Sequence, residues 1–213
     1  DIVLDTPDAS RLLAPLMAGV EPLRLDVSRP LSLTSSLRLP ARDDPDWPNV
    51  EIGGTGKLGD LDIDLGIRTP VRDLILDAAG TRFFLTLKGS ANDMTARLGL
   101  PVTRAPEDLA VLSLSTDAQP GSVSRLEAKL GVDGDLFSLS GTLRPGPTGR
   151  RIEGLMRAAG TDVLPYIGLV RGSGSEVAFS GTSQIVVRQE GVSFANIDLG
   201  LSAGRLTGEG VME

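Results

Sequence analysis

Apolar and polar residues alternate with a period of two along most of this chain, the pattern of strands that wet one face and bury the other. Leu23, Leu25 and Val27 follow it, and Leu31, Leu33, Leu37 and Leu39 continue it. The same period predicts strands over 50–57 and 61–67, flanking Leu58-Gly59-Asp60, and over 73–77 and 82–88, flanking Ala78-Ala79-Gly80. After a turn at Gly89-Ser90-Ala91-Asn92-Asp93 it predicts strands over 94–100 and 109–116. Short runs divided by Gly, Asn, Asp or Pro describe an antiparallel meander.

The clearest local signal is Asp133-Gly134, set between alternating runs at 125–132 and 135–143. Asp-Gly accepts positive φ at both turn positions, so it closes a two-residue hairpin. That turn places Val132 opposite Asp135, Leu130 opposite Phe137 and Ala128 opposite Leu139. Leu126, Ala128, Leu130, Phe137 and Leu139 then share one aliphatic face, while Arg125, Glu127, Lys129, Ser138 and Ser140 share the other. A second hairpin is predicted from 173–187 and 192–201 about Gln189-Glu190-Gly191, with a bulge where the alternation slips between Phe194 and Ile197.

Two short helices punctuate the strands. One, near 8–18, can be capped by Asp8 or Ser10, carries Leu12, Leu13, Leu16 and Met17 at helical spacing, and ends at Gly19. The other, near 161–170, starts at Thr161 or Asp162. Each opens a similar stretch that closes in strands and glycine, so the chain reads as a repeat. The expected fold class is all-β, a mainly antiparallel meander with an elongated or curled sheet, an aliphatic face and two short helices. Pro145-Gly146-Pro147-Thr148-Gly149 is the strongest breaker. It divides a region 1–144 from a second helix-plus-strands region 150–213 that continues the first sheet.

Composition narrows the chemistry. The 213 residues carry a formal net charge of -7 and only 3% aromatics, so the interior is aliphatic and no basic, aromatic-bearing face invites nucleic acid. There is no Cys and no His, which excludes disulfides, thiolate or imidazole zinc sites, cysteine nucleophiles and Ser-His-Asp triads. No run of about 18 apolar residues crosses a bilayer. The chain begins at Asp and stops within a repeating pattern at Gly210-Val211-Met212-Glu213, and is expected to be an internal piece of a longer protein.

Candidate chemistry is sparse. Asp62 and Asp64 point to one face of a strand and could share a proton or hold a cation, but Leu61, Ile63 and Leu65 occupy the other face, which puts the carboxylates on the wet side. Asp133-Gly134-Asp135 has too few ligand positions for a calcium loop, and the hairpin accounts for it. Gly172-Ser173-Gly174 and Gly208-Glu209-Gly210 complete no phosphate-binding fingerprint. No serine lies in a nucleophile elbow. No catalytic, cofactor-binding or metal-ligating set is assigned, and an Asp/Glu or Ser/Lys enzyme ranks last among the functions.

A capped Leu-rich helix leads into strands, then a hairpin at Glu190-Gly191, an aliphatic run and the close Gly204-Arg205-Leu206-Thr207-Gly208. This pattern resembles the AsmA-like proteins of Gram-negative bacteria, best over 155–212 and more faintly over 5–39. The resemblance implies a periplasmic protein, anchored to the inner membrane through a segment outside this chain, with a part in outer-membrane assembly. It implies a curled sheet whose aliphatic groove holds the acyl chains of phospholipid or another envelope lipid. Its partners would be that lipid and other envelope proteins. On this reading Leu126, Ala128, Leu130, Phe137 and Leu139 are the lipid-facing candidates. The residues themselves fit a second architecture equally: a closed β-sandwich serving as scaffold or protein-interaction module.

Overall fold

The computed structural model describes residues 2–10, 28–39, 49–70, 80–98, 108–119, 123–146, 149–167, 176–188 and 191–212. Strands make up 77% of them. In chain order these are β1 (Ile2–Thr6), β2 (Leu31–Arg38), β3 (Asn49–Leu58), β4 (Leu61–Pro70) and β5 (Arg82–Ser90). A helix α1 (Ala91–Arg97) leads to β6 (Leu109–Gln119), β7 (Val123–Val132), β8 (Asp135–Gly146) and β9 (Gly149–Gly160). A single 3-10 turn, Leu164–Ile167, precedes β10 (Phe179–Arg188), β11 (Gly191–Leu201) and β12 (Gly204–Met212).

All twelve strands lie in one sheet in sequence order, each antiparallel to the next, and the sheet does not close into a barrel. It is therefore one continuous hydrogen-bonded sheet. The Asp133-Gly134 hairpin has the expected register: Leu130 faces Phe137, Ala128 faces Leu139 and Val132 faces Asp135. Both turn residues hold positive φ, 44° at Asp133 and 85° at Gly134, as a type I′ turn requires. The expected slip between Phe194 and Ile197 is also present. Asn196 takes up the extra residue at φ 53°, and the buried Ser183 hydroxyl donates to the Ala195 carbonyl at 3.1 Å, holding the bulge in place.

Several expectations are corrected. The run 94–100 was expected as a strand, but residues 91–97 form α1. The segment from Ala91 to Leu98 satisfies both periods: Met94, Ala96 and Leu98 alternate, yet Ala91, Met94, Thr95 and Leu98 also fall at i, i+3, i+4 and i+7. The helical reading prevails because it buries Ala91, Met94 and Thr95 completely and pairs Asp93 with Arg97 at 3.1 Å one turn on. The helix expected near 161–170 is reduced to the 3-10 turn, with Pro165 inside it, and residues 168–170 lie outside the described residues. Most of the helix expected near 8–18 and the strand expected at 73–77 also lie outside them. At the 145–149 breaker Gly146 pairs with Gly149 and the sheet runs on from β8 to β9, in keeping with the expectation that the second region continues the first sheet.

Register carries the face of one strand onto the next across the whole sheet. Leu31, Leu58, Leu61, Leu87, Ala110, Val132 and Ile152 all sit on the aliphatic face and are at most 2% exposed. With α1 contributing Ala91 and Met94, they form one apolar cluster from Leu31 to Val187. The opposite face carries the Lys57–Asp62, Arg82–Asp117 and Arg144–Glu153 pairs.

Candidate functional site

The five residues singled out by the turn register come together on the aliphatic face of β7 and β8. Leu126 is fully buried, Leu130 and Leu139 are 8% exposed, and Ala128 and Phe137 pack against them half-buried. Leu112 and Leu114 of β6 flank them on one side and Met156 of β9 on the other. Cross-strand aliphatic pairs of this kind hold a sheet together through excluded water more than through backbone bonds.

Burial along this face is graded. It is most complete on β4 to β8 and on β10, reaches Leu31, Val50 and Leu58 of β2 and β3, and falls away on β11 and β12 and at the far ends of β1 to β3. On β11 the residues Val192, Phe194, Ile197, Leu199 and Leu201 are only half-buried, and Leu206 of β12 is 55% exposed. At the other edge Ile2, Leu37 and Ile52 are exposed on the same face. The face is therefore sealed in its middle and more open at its margins.

Glycine fills several positions where the pattern would place an apolar side chain. Gly141 and Gly154 face each other across β8 and β9, and a Cβ on Gly154 would lie 2.6 Å from the Ser140 carbonyl oxygen and 2.9 Å from Gly141 Cα. The backbones therefore approach too closely for any side chain.

A polar site that sequence reasoning passed over lies beside the aliphatic face. Asp135, read there only as a turn residue, is 1% exposed. Its carboxylate accepts the Thr161 backbone N–H at 2.8 Å and the Tyr166 hydroxyl at 2.9 Å. Asp162 does the same for the Leu164 and Val177 N–H groups, both at 3.2 Å. Phe137, Tyr166 and Phe179 stack around this point, with ring centroids 4.8–5.9 Å apart. The arrangement satisfies backbone donors that the short 3-10 turn leaves unpaired, so its role is to cap the sheet where it turns. The only available signal was the acid at the first strand position after Asp-Gly, which a hairpin alone does not require.

The remaining acidic candidates stand in water. Asp62 is exposed and bonds Lys57 at 2.6 Å; the hydrogen bond and charge of that ammonium hold its carboxyl below the usual aspartate range. Asp64 is exposed two residues on. Asp198 and Arg205 form a bidentate pair at 2.7 and 2.6 Å, which likewise lowers the carboxyl and raises the guanidinium. This pair walls a cleft of about 720 Å³ on the polar face, with Arg157, Ser138, Ser180 and the exposed Leu136. Among the described residues no group of three acidic side chains could hold a metal ion, and no helix is long and apolar enough to cross a membrane. Comparison with protein-family models, with curated proteins and with solved structures finds no match to this chain.

Proposed function

We propose that this chain is a non-enzymatic segment of an AsmA-like periplasmic protein of outer-membrane assembly, and that its aliphatic face holds lipid acyl chains. The observation that carries the reading is the continuous apolar face of a single open sheet, half-exposed along β11 and β12 and exposed again at Ile2, Leu37 and Ile52. A sheet that is not closed leaves such a margin available to hydrocarbon, which gains about 0.8 kcal/mol for each methylene it buries there. Anchorage to the inner membrane through a segment outside this chain, and envelope proteins as partners, belong to the same proposal.

A second reading is a scaffold or protein-interaction module with an ordinary sealed core. It draws on the central strands, where Leu58, Leu61 and Leu87 are fully buried and leave no room for a ligand.

Native mass spectrometry of the purified chain separates the two. The lipid reading expects phospholipid carried through purification, and expects Ile197→Asp and Leu199→Asp to release it while circular dichroism stays that of the native chain. Those two positions are half-buried, so a carboxylate there keeps much of its hydration. A native chain that binds no phospholipid, even after incubation with vesicles, refutes the lipid reading and leaves the scaffold. Leu130→Asp does not discriminate: at 8% exposure it destabilises the sheet under both readings.

A further inference from the structure

Register lines up side chains in rows across the polar face of β8 to β12. One row has Ala159, Ser180 and Gly200 between Leu136 and Arg205. It is small in its middle and long at its ends, and so forms the floor of the open cleft of about 720 Å³. Gly200 sets the depth. On the neighbouring strands the backbone itself demands glycine: a Cβ on Gly154 or on Gly181 would lie 2.6 Å from a carbonyl oxygen. A Cβ on Gly200 would meet only Ser180, with the nearest atoms at 3.5 and 3.8 Å, an ordinary contact. Packing does not require a glycine there, and its missing side chain is what leaves the floor open.

The next row supplies positive charge without a counter-charge. Arg157 of β9 stands between Ser138 of β8 and Thr182 of β10, and Lys129 of β7 lies on the other side of Ser138. Both cations are exposed, and neither forms an ion pair or hydrogen bond among the described residues. Glu127, two residues from Lys129, does not pair with it, and both carboxylate oxygens of Asp198, beyond Thr182, accept from Arg205. Lys57, Arg82 and Arg144 on the same face each hold a carboxylate.

We infer that this cleft binds a small phosphorylated molecule, with its phosphate seated over Ser138 between Arg157 and Lys129. Directly opposed side chains on neighbouring strands stand about 5 Å apart, which puts these groups within reach of one anion. A guanidinium fork, an ammonium and the Ser138 and Thr182 hydroxyls approach from several directions. They can serve the three terminal oxygens of a phosphate, where a carboxylate offers two oxygens in one plane. The cleft is larger than a phosphate and falls in the range of small-molecule sites, so the floor beside Leu136 takes the rest of the molecule. The site rests on neither lipid nor the aliphatic face. Its phosphate-binding strands, β7 to β10, are each paired on both sides, so it does not depend on the margins of the sheet.

The experiment is an amide NMR titration of the native chain with glycerol 3-phosphate, with inorganic phosphate and, as the uncharged control, with glycerol. Saturable shifts are expected at Ser138, Arg157, Thr182 and Gly200 with both phosphates and none with glycerol, and glycerol 3-phosphate is expected to bind the more tightly. Arg157→Gln should weaken both phosphates about tenfold. Gly200→Leu should weaken glycerol 3-phosphate and spare inorganic phosphate; if it does not fold, Ala159→Leu, at an exposed position of the same floor, carries that arm. A phospholipid headgroup bears the same phosphate, and co-sedimentation with phosphatidylglycerol vesicles separates the two sources. Vesicle binding that Arg157→Gln abolishes, without shifts from the soluble phosphates, assigns the site to a headgroup. The inference is overturned by a chain that shows no saturable shift up to about 20 mM of either phosphate and no vesicle binding that depends on Arg157. It is equally overturned by phosphate shifts that Arg157→Gln leaves unchanged.

Discussion

The gradient of burial along the aliphatic face makes a quantitative demand on two leucines of identical chemistry. Leu126, in the middle of β7, is fully buried between Thr116 of β6 and Gly141 of β8, whereas Leu206 on β12 is 55% exposed. Leu→Ala removes three carbons. At about 0.8 kcal/mol per buried carbon the transfer cost at Leu126 is ~2.4 kcal/mol. Gly141 across the ladder has no side chain to move into the gap, so a cavity term adds to it and the total reaches about 3–4 kcal/mol. At Leu206 less than half of the same surface is covered and no enclosed cavity forms, so the cost is ~1 kcal/mol or less. Urea unfolding followed by circular dichroism, at low protein concentration, reads both. With a slope of roughly 2–3 kcal/mol per molar, Leu126→Ala lowers the midpoint by about 1–2 M and Leu206→Ala by less than about 0.5 M. Equal shifts for the two variants, at unchanged slope, would refute the graded face. A shift for Leu126→Ala as small as that expected for Leu206→Ala would mean that the centre of the sheet is wet.

Asp135→Ala leaves the Thr161 N–H and the Tyr166 hydroxyl without their acceptor, and is expected to destabilise by about 1–3 kcal/mol. Tyr166 is the single tyrosine, so its near-ultraviolet signal should change in that variant and not in Asp133→Ala. Gly154→Ala drives a Cβ onto the Ser140 carbonyl and the Gly141 backbone, and should cost about 1–3 kcal/mol by urea unfolding; an unchanged midpoint would show that the strands can separate freely there. Asp62 and Asp198 both have folded-state pKa values below their unfolded ones. The stability they add is therefore fully present above the unfolded pKa, near 3.8, and is lost as pH falls through the lower folded values. Carboxyl NMR titration should give both a midpoint below 3.8, and Lys57→Ala should return Asp62 alone to the ordinary range.

Much of the fold was legible one hairpin at a time. Asp133-Gly134 set the partners of β7 and β8 because a two-residue turn leaves the ladder no freedom of register, and the slip between Phe194 and Ile197 marked the bulge because alternation has a strict period. The pattern failed where glycine stands on the aliphatic face. In β9, Gly154 and Gly160 interrupt Ile152, Met156 and Ala158, and in β12, Gly208 and Gly210 dilute Leu206 and Met212, so neither strand was expected. It failed again at 91–97, where seven residues are too few to tell a period of two from one of 3.6 without knowing what they pack on.

By itself, then, the sequence determined that the chain is β-rich, which side of each strand it predicted is aliphatic, and that histidine and cysteine chemistry has no place in it. Only the tertiary structure decided that all twelve strands form one sheet that does not close into a barrel, with burial deepest on β4 to β8 and β10 and relaxed on β11 and β12, and that Asp135 lies under Thr161 and Tyr166. The physical reason is one of range. Alternation and turn chemistry act between residues a few positions apart and fix a strand's faces and its next neighbour. Whether those faces end sealed or exposed depends on how the sheet as a whole curls and where it stops, and no local pattern encodes that.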